Sequence, residues 1–213
     1  MKHQMKPLCQ LASLLLGALL LSACISGPTA NTLYTLQPAR QDRLGQEFSN
    51  FKEMILIMPV RLAPQLQGRG LVSQRSVTES KASLNHVWAG PLDQQIAENI
   101  VSTLKDLLGT DNVAVYPGPR FGATRYQVEI EINEFSGFEQ SFTTRAVSTL
   151  SDTATKTMLY RKSFQQTRII DKPDYSGYVA SASQAIGDLS KEIAAALLAA
   201  RQSQPATPRS YEK

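Results

Sequence analysis

RYQVEIEINEF, residues 125–135, is the stretch whose reading decides the fold. Tyr126, Val128, Ile130 and Ile132 fall on one side of an extended chain. Arg125, Gln127, Glu129, Glu131 and Asn133 fall on the other. Strict period-two alternation describes a strand with one face on a core and one face in water. Ser136-Gly137 begins a connection to a second β-prone stretch at residues 141–150. Ser151-Asp152-Thr153 then turns into a third at residues 156–170. Three such segments in succession predict an antiparallel meander.

A one-sided sheet needs an apolar cover, and two helical stripes supply it. In PLDQQIAENIVSTLKDLLG, residues 91–109, Leu92, Ile96, Ile100, Leu104 and Leu108 recur at i, i+4 spacing. Ala97, Val101 and Leu107 widen the same stripe, as in a helix burying one face. Pro91 suits the first turn, Asp93 the positive end of the dipole, and Gly109 the stop. The second stripe, over residues 178–201, carries Ala182, Ala185, Ile186, Leu189, Ile193, Ala196 and Leu197. Its alanines favour a helix. Upstream, ILIMPV at residues 55–60 is a continuous apolar run, the pattern of a strand buried on both faces. Shorter strands are predicted at residues 32–36, 71–77, 83–88 and 112–116. The expected architecture is α+β: a mixed, mostly antiparallel sheet with two amphipathic helices packed on one face.

The first thirty residues read as a leader. Lys2 and Lys6 precede an apolar run at residues 11–21 with no acid before it. That run is about eleven residues, roughly 16 Å as a helix. A bilayer core needs about 20 apolar residues, so the length fits a signal-peptide core better than a membrane span. LSAC, residues 21–24, resembles the bacterial lipobox, in which the cysteine thiol takes a diacylglycerol and becomes the first residue of the mature chain. A thiol suits that step because its thiolate is a strong nucleophile. Cys24 is therefore the expected lipidation site. The expected boundaries are a signal peptide at 1–23, a lipidated tether at 24–31, one domain at 32–201 and a disordered tail at 202–213. By the same resemblance, Ile25 after the cysteine, where inner-membrane retention usually shows Asp, points to the outer membrane with the domain facing the periplasm.

Composition excludes several classes. The chain has two cysteines, Cys9 and Cys24. Processing would remove one and acylate the other, leaving no disulfide in an oxidising compartment. Loss of two lysines lowers the formal charge from +4 to about +2, so the basic pI is no argument for nucleic acid. His86 would be the one histidine left, which argues against a Ser-His-Asp triad. No metal-ligand spacing, Walker loop or dinucleotide fingerprint is present. Glu129 and Glu131 share a strand face, and a solvated face explains them better than a glycosidase pair. The chemistry is expected to be non-enzymatic, with no catalytic residue, cofactor or metal.

Two segments are candidate partner contacts. Trp88, the sole tryptophan, either packs the corner before the first helix or anchors a protein contact. Arg120 and Phe121 sit in YPGPRFG, residues 116–122, either a plain connection or a Pro-stiffened recognition loop.

With these residues placed, the chain resembles the PqiC-type lipoproteins, auxiliary components of ABC-type and MCE-linked transport systems. The matching features are Cys24, Tyr34-Thr35-Leu36, the apolar strand ending in Pro59-Val60, and WAGPL at residues 88–92 opening the first helix. YRKSF at 160–164 and the Ala-rich last helix follow. The basic, Gln-rich segment at 61–75 departs from the pattern. The resemblance implies an outer-membrane-anchored accessory of a lipid transport system that supports membrane integrity. It implies a periplasmic MCE-type partner, and a homo-oligomeric ring would suit a tunnel end. The alternatives are a structural envelope or lipopolysaccharide-assembly lipoprotein, and a periplasmic hydrolase.

Overall fold

The computed structural model describes residues 30–38, 51–76, 78–118 and 122–203. Its central strand is β7, Thr124–Phe138. Six strands precede it: β1 (Thr32–Tyr34), β2 (Met54–Ile57), β3 (Arg61–Leu62), β4 (Gly70–Gln74), β5 (Ser80–Trp88) and β6 (Val113–Val115). Two follow, β8 (Ser141–Asp152) and β9 (Thr157–Ile169). The helices are α1 (Leu92–Leu108) and α2 (Tyr175–Gln202). The fold is α+β.

The alternation in β7 is obeyed and then reset. Tyr126, Val128, Ile130 and Ile132 are all buried to 1% exposure or less. Continuing that period past Asn133 would put Phe135 on the wet face. The register instead steps from Ile132–Ala146 to Glu134–Arg145, leaving Asn133 as a bulge. One extra residue moves every later side chain to the opposite face. Phe135 thereby enters the core at 1% exposure.

β7 has neighbours on both sides. On one side, β8 runs antiparallel along its whole length, and β9 pairs antiparallel with β8. On the other side, β2, β3 and β4 lie parallel to successive segments of β7. The full path is β1-β5-β4-β7-β2-β6. Five of the eight ladders are parallel, yet the two long ladders are antiparallel and hold most of the paired residues. The run expected to be buried on both faces is β2, all four residues of which are buried.

Both helices line one core with the sheet. In α1 the expected stripe is buried except for Val101, which is partly so, and Gly109 closes the helix at φ 58, ψ 41. That left-handed conformation is one glycine adopts at no steric cost. Pro91 is the N-cap residue rather than a first-turn one. α2 begins one turn before the expected Tyr178, because Asp174 caps it: the Gly177 amide donates to Asp174 Oδ1 at 2.7 Å. Buried Ser183 and Ser190 donate back to the Val179 and Ile186 carbonyls, each at 2.8 Å, so neither hydroxyl is orphaned.

Tyr178 ties the layers together. Its ring meets Phe142 edge-on at 4.8 Å, and Phe142 meets Phe135 edge-on at 4.9 Å. Its hydroxyl donates to the Val72 carbonyl at 2.7 Å and to the Phe135 carbonyl at 3.3 Å. A Cβ on Gly137 would lie 2.7 Å from the Tyr178 ring, so only glycine admits it. Farther along α2, Asp188 receives Arg168 and Gln166 from β9 and Lys191 from its own helix. Lys162 reaches Glu192 at 3.1 Å.

Two predictions follow from this packing. Tyr178→Phe removes the buried hydrogen bond to the Val72 carbonyl and should cost roughly 1–2 kcal/mol, whereas Gly137→Ala forces the ring aside and should cost roughly 1–3 kcal/mol. Urea unfolding of each variant measures both. The second concerns acid. Burial pushes the Asp188 carboxyl up, but hydrogen bonds from Gln166, Arg168 and Lys191 outweigh it and hold the group below its ordinary range. A depressed carboxylate stabilises the fold above its unfolded value, about 3.9, and that contribution fades as pH falls through the lower folded value. Asp188→Asn should flatten the acid limb of a stability-versus-pH curve, and an unchanged limb would show that the cluster contributes nothing.

Candidate functional site

Where the chain enters the domain, it is held by aromatic rings and amide hydrogen bonds. β1 pairs parallel with the end of β5, Thr32 opposite His86 and Tyr34 opposite Trp88. The Tyr34 hydroxyl lies 3.0 Å from His86 Nδ1. Partial burial, with Asp174 and Tyr175 nearby, pushes the Tyr34 hydroxyl up, so it keeps its proton and can donate. The His86 ring stacks on Tyr175 at 3.7 Å and 16°. Beyond β1, the Leu36 amide donates to Gln95 Oε1 of α1 at 3.0 Å, and the Gln37 amide donates to Ser183 Oγ of α2 at 3.1 Å. Gln95 in turn donates to the Gly90 carbonyl at 3.0 Å. Leu36 is buried. The leading segment is thus attached to one strand and both helices.

Trp88 does not offer a partner surface here. Its side chain is 2% exposed and sits 6.3 Å from the Phe135 ring. Its amide donates to the Arg69 carbonyl at 2.8 Å. The corner-packing reading fits, and the contact reading is corrected: burial leaves the indole nothing to present. Cys24, Arg120 and Phe121 lie outside the described residues, as do the signal peptide at 1–23 and most of the tail. His86 is structural, and its place in the Tyr34–Tyr175 stack was not legible from its position beside Trp88.

Glu129 and Glu131 are claimed by a cation. Arg61 of β3 lies 3.5 Å from Glu129 and also pairs with Glu131. The hydrogen bond from Arg61 holds the Glu131 carboxyl below its ordinary range despite some desolvation. A general acid needs a carboxyl pushed the other way. The pair therefore reads as a clamp between β3 and β7, half shielded rather than fully wet.

Two grooves remain. One, about 500 Å³, lies between the 60–69 segment and the start of α1, with Arg61, Arg69 and Asp93 on its walls. The other, about 690 Å³, runs between the start of β9 and the end of α2. Leu159, Tyr160, Ala196 and Ala199 make it largely apolar, and Arg125 and Asp152 close it with a 2.7 Å ion pair. Asp152 Oδ1 also accepts from the Ala154 amide at 2.8 Å and the Thr155 amide at 3.2 Å. Its two oxygens are thus committed to structure. Among the described residues no group of three or more His, Cys, Asp and Glu could hold a metal ion. Among them, too, no helix is long and apolar enough to cross a membrane.

Comparison with known proteins agrees with this geometry. Residues 34–194 match the model of the family described as ABC-type transport auxiliary lipoprotein component. The match begins at Tyr34, in the pinned strand. The chain is 30% identical over 122 residues to the intermembrane transport lipoprotein PqiC of Escherichia coli K12, covering 57% of this chain and 63% of that relative. A crystal structure of an uncharacterised protein superposes with a TM-score of 0.65 at 20% identity, covering 79% of this chain and 99% of the other. Protein XCC0632 of Xanthomonas campestris gives 0.66 at 15% identity, covering 82% and 99%. These structures share the fold. The match across the domain places the chain in the family of ABC-type transport auxiliary lipoprotein components.

Proposed function

We propose that the protein is an outer-membrane lipoprotein that faces the periplasm and serves as a non-enzymatic accessory of an MCE/ABC-type lipid transport system supporting membrane integrity. The observation that carries this reading is the family match over residues 34–194, together with the likeness to a lipoprotein named for intermembrane transport. The pinned leading segment supports it physically. A domain that docks a transport partner while tethered to a membrane must hold the tethered strand firmly, and β1 is bonded to β5, with residues 36 and 37 bonded to α1 and α2.

In this account Cys24 carries the diacylglycerol and supplies the first residue of the mature chain. Each buried CH₂ contributes about 0.8 kcal/mol, so two or more acyl chains give firm anchoring. The partner is a periplasmic MCE-type protein whose tunnel shelters lipid from water, because exposed acyl chains are costly there. Several copies would close around the tunnel end as a ring. Nucleic acid has no place in this account.

Cys24→Ser should abolish incorporation of labelled palmitate and release the protein from the outer-membrane fraction. Retention of both would overturn the anchor. Sedimentation of the Cys24→Ser chain should show assemblies larger than a dimer, and monomer alone at high concentration would count against the ring.

A further inference from the structure

We propose that the end of the domain bearing Phe138 and Ile169 is a lipid-contact surface, seated against the membrane to which the chain is tethered. The inference rests on the acylation of Cys24 proposed above.

Phe138 closes β7 and Ile169 closes β9, and both stand opposite Ser141, the first residue of β8. Residues opposite one another in antiparallel ladders point to the same face. The two side chains therefore share one end of the sheet and one side of it. Phe138 is 41% exposed and Ile169 is 77% exposed. Single exposed apolar residues are ordinary, but two at one sheet end call for a cover.

β1, the described strand nearest Cys24 in sequence, is linked to this end through Tyr175. Tyr34 of β1 sits 6.2 Å from the Tyr175 ring, and Tyr175 lines a small cavity together with Gly137, Glu139 and Ile170. Those residues are the immediate neighbours of Phe138 and Ile169. Two more apolar side chains stand on the strands that receive the tether, Leu33 at 59% exposure and Leu84 at 85%. Seven residues separate Cys24 from Thr32, eight steps along the chain and a reach of at most about 29 Å. So short a leash on a pinned strand keeps β1 within about 29 Å of the acylated residue.

The nearby charges are mixed. Lys172 stands among Glu139, Asp171 and Asp174, so attraction to anionic headgroups is not the driving term. The contact is apolar and shallow, with side chains entering the headgroup–acyl boundary by about 5–10 Å.

The acylated full-length protein tests this directly. After processing, Cys24 is modified and no other cysteine remains, so an introduced cysteine is the sole free thiol. Phe138→Cys, Ile169→Cys and Ser163→Cys would each carry an environment-sensitive fluorophore. Ser163 is exposed on β9, about 20 Å from Ile169 along the strand. The vesicles would contain phosphatidylethanolamine, phosphatidylglycerol and a spin-labelled phospholipid. The labels at 138 and 169 should be quenched by the lipid at least about twofold more than the label at 163. Equal quenching on vesicle-bound protein overturns the lipid contact and leaves the anchor standing. Labels at 138 and 169 shielded from an aqueous quencher yet untouched by spin-labelled lipid also overturn it, pointing to a second copy or a protein. Protein that fails to bind vesicles defeats the anchor, and this inference with it. Should Phe138→Cys fold poorly by circular dichroism, Ile169→Cys at its exposed site carries the comparison alone.

Discussion

A single buried hydroxyl sets the relation between the layers of this domain. Tyr178 donates from α2 to carbonyls on β4 and β7. Because its ring is wholly inside, an unmade hydrogen bond there would cost far more than an exposed one. The bond therefore fixes where α2 begins over the sheet. Gly137 must be a glycine to admit the ring, and the bulge at Asn133 must occur to turn Phe135 toward it. The rest of the helix follows from that point. The Asp174 cap starts α2 beside the Tyr34–His86–Tyr175 stack, and the charged cluster at Asp188 fastens its middle to β9.

Much of this was legible from residue order. The alternation at 126–132 and the stripe in α1 each arise from one dominant force, burial of apolar area along a regular period. Where that force acts alone, pattern predicts structure. The bulge at Asn133 was not legible, because nothing in Asn133-Glu134 marks the extra residue; only the fit of Phe135 against Trp88 and Phe142 demands it. The start of α2 lies one turn before the apolar stripe, because the Asp174 cap rather than apolar periodicity sets it. The wet face of β7 was read too simply. Arg61 is distant in sequence, and only the parallel pairing of β3 brings it over Glu129 and Glu131.

The candidate site was less legible than the fold. Trp88 was singled out for its rarity, yet a large indole is as often a core residue as a contact, and here the core claims it. The network that holds the leading strand uses Tyr34, His86, Gln95, Tyr175 and Ser183, residue types common in any surface. Their meaning comes from convergence across more than a hundred residues of chain, which no local pattern records. That network joins β1 and the residues after it to the sheet and to both helices.

Crosslinking in living cells tests the central claim most directly. A photoreactive residue at Phe121 of the full-length protein would capture whatever protein the domain meets. The account predicts an adduct with an MCE-type transport protein. Adducts solely with lipopolysaccharide-assembly or peptidoglycan-linked proteins would contradict it.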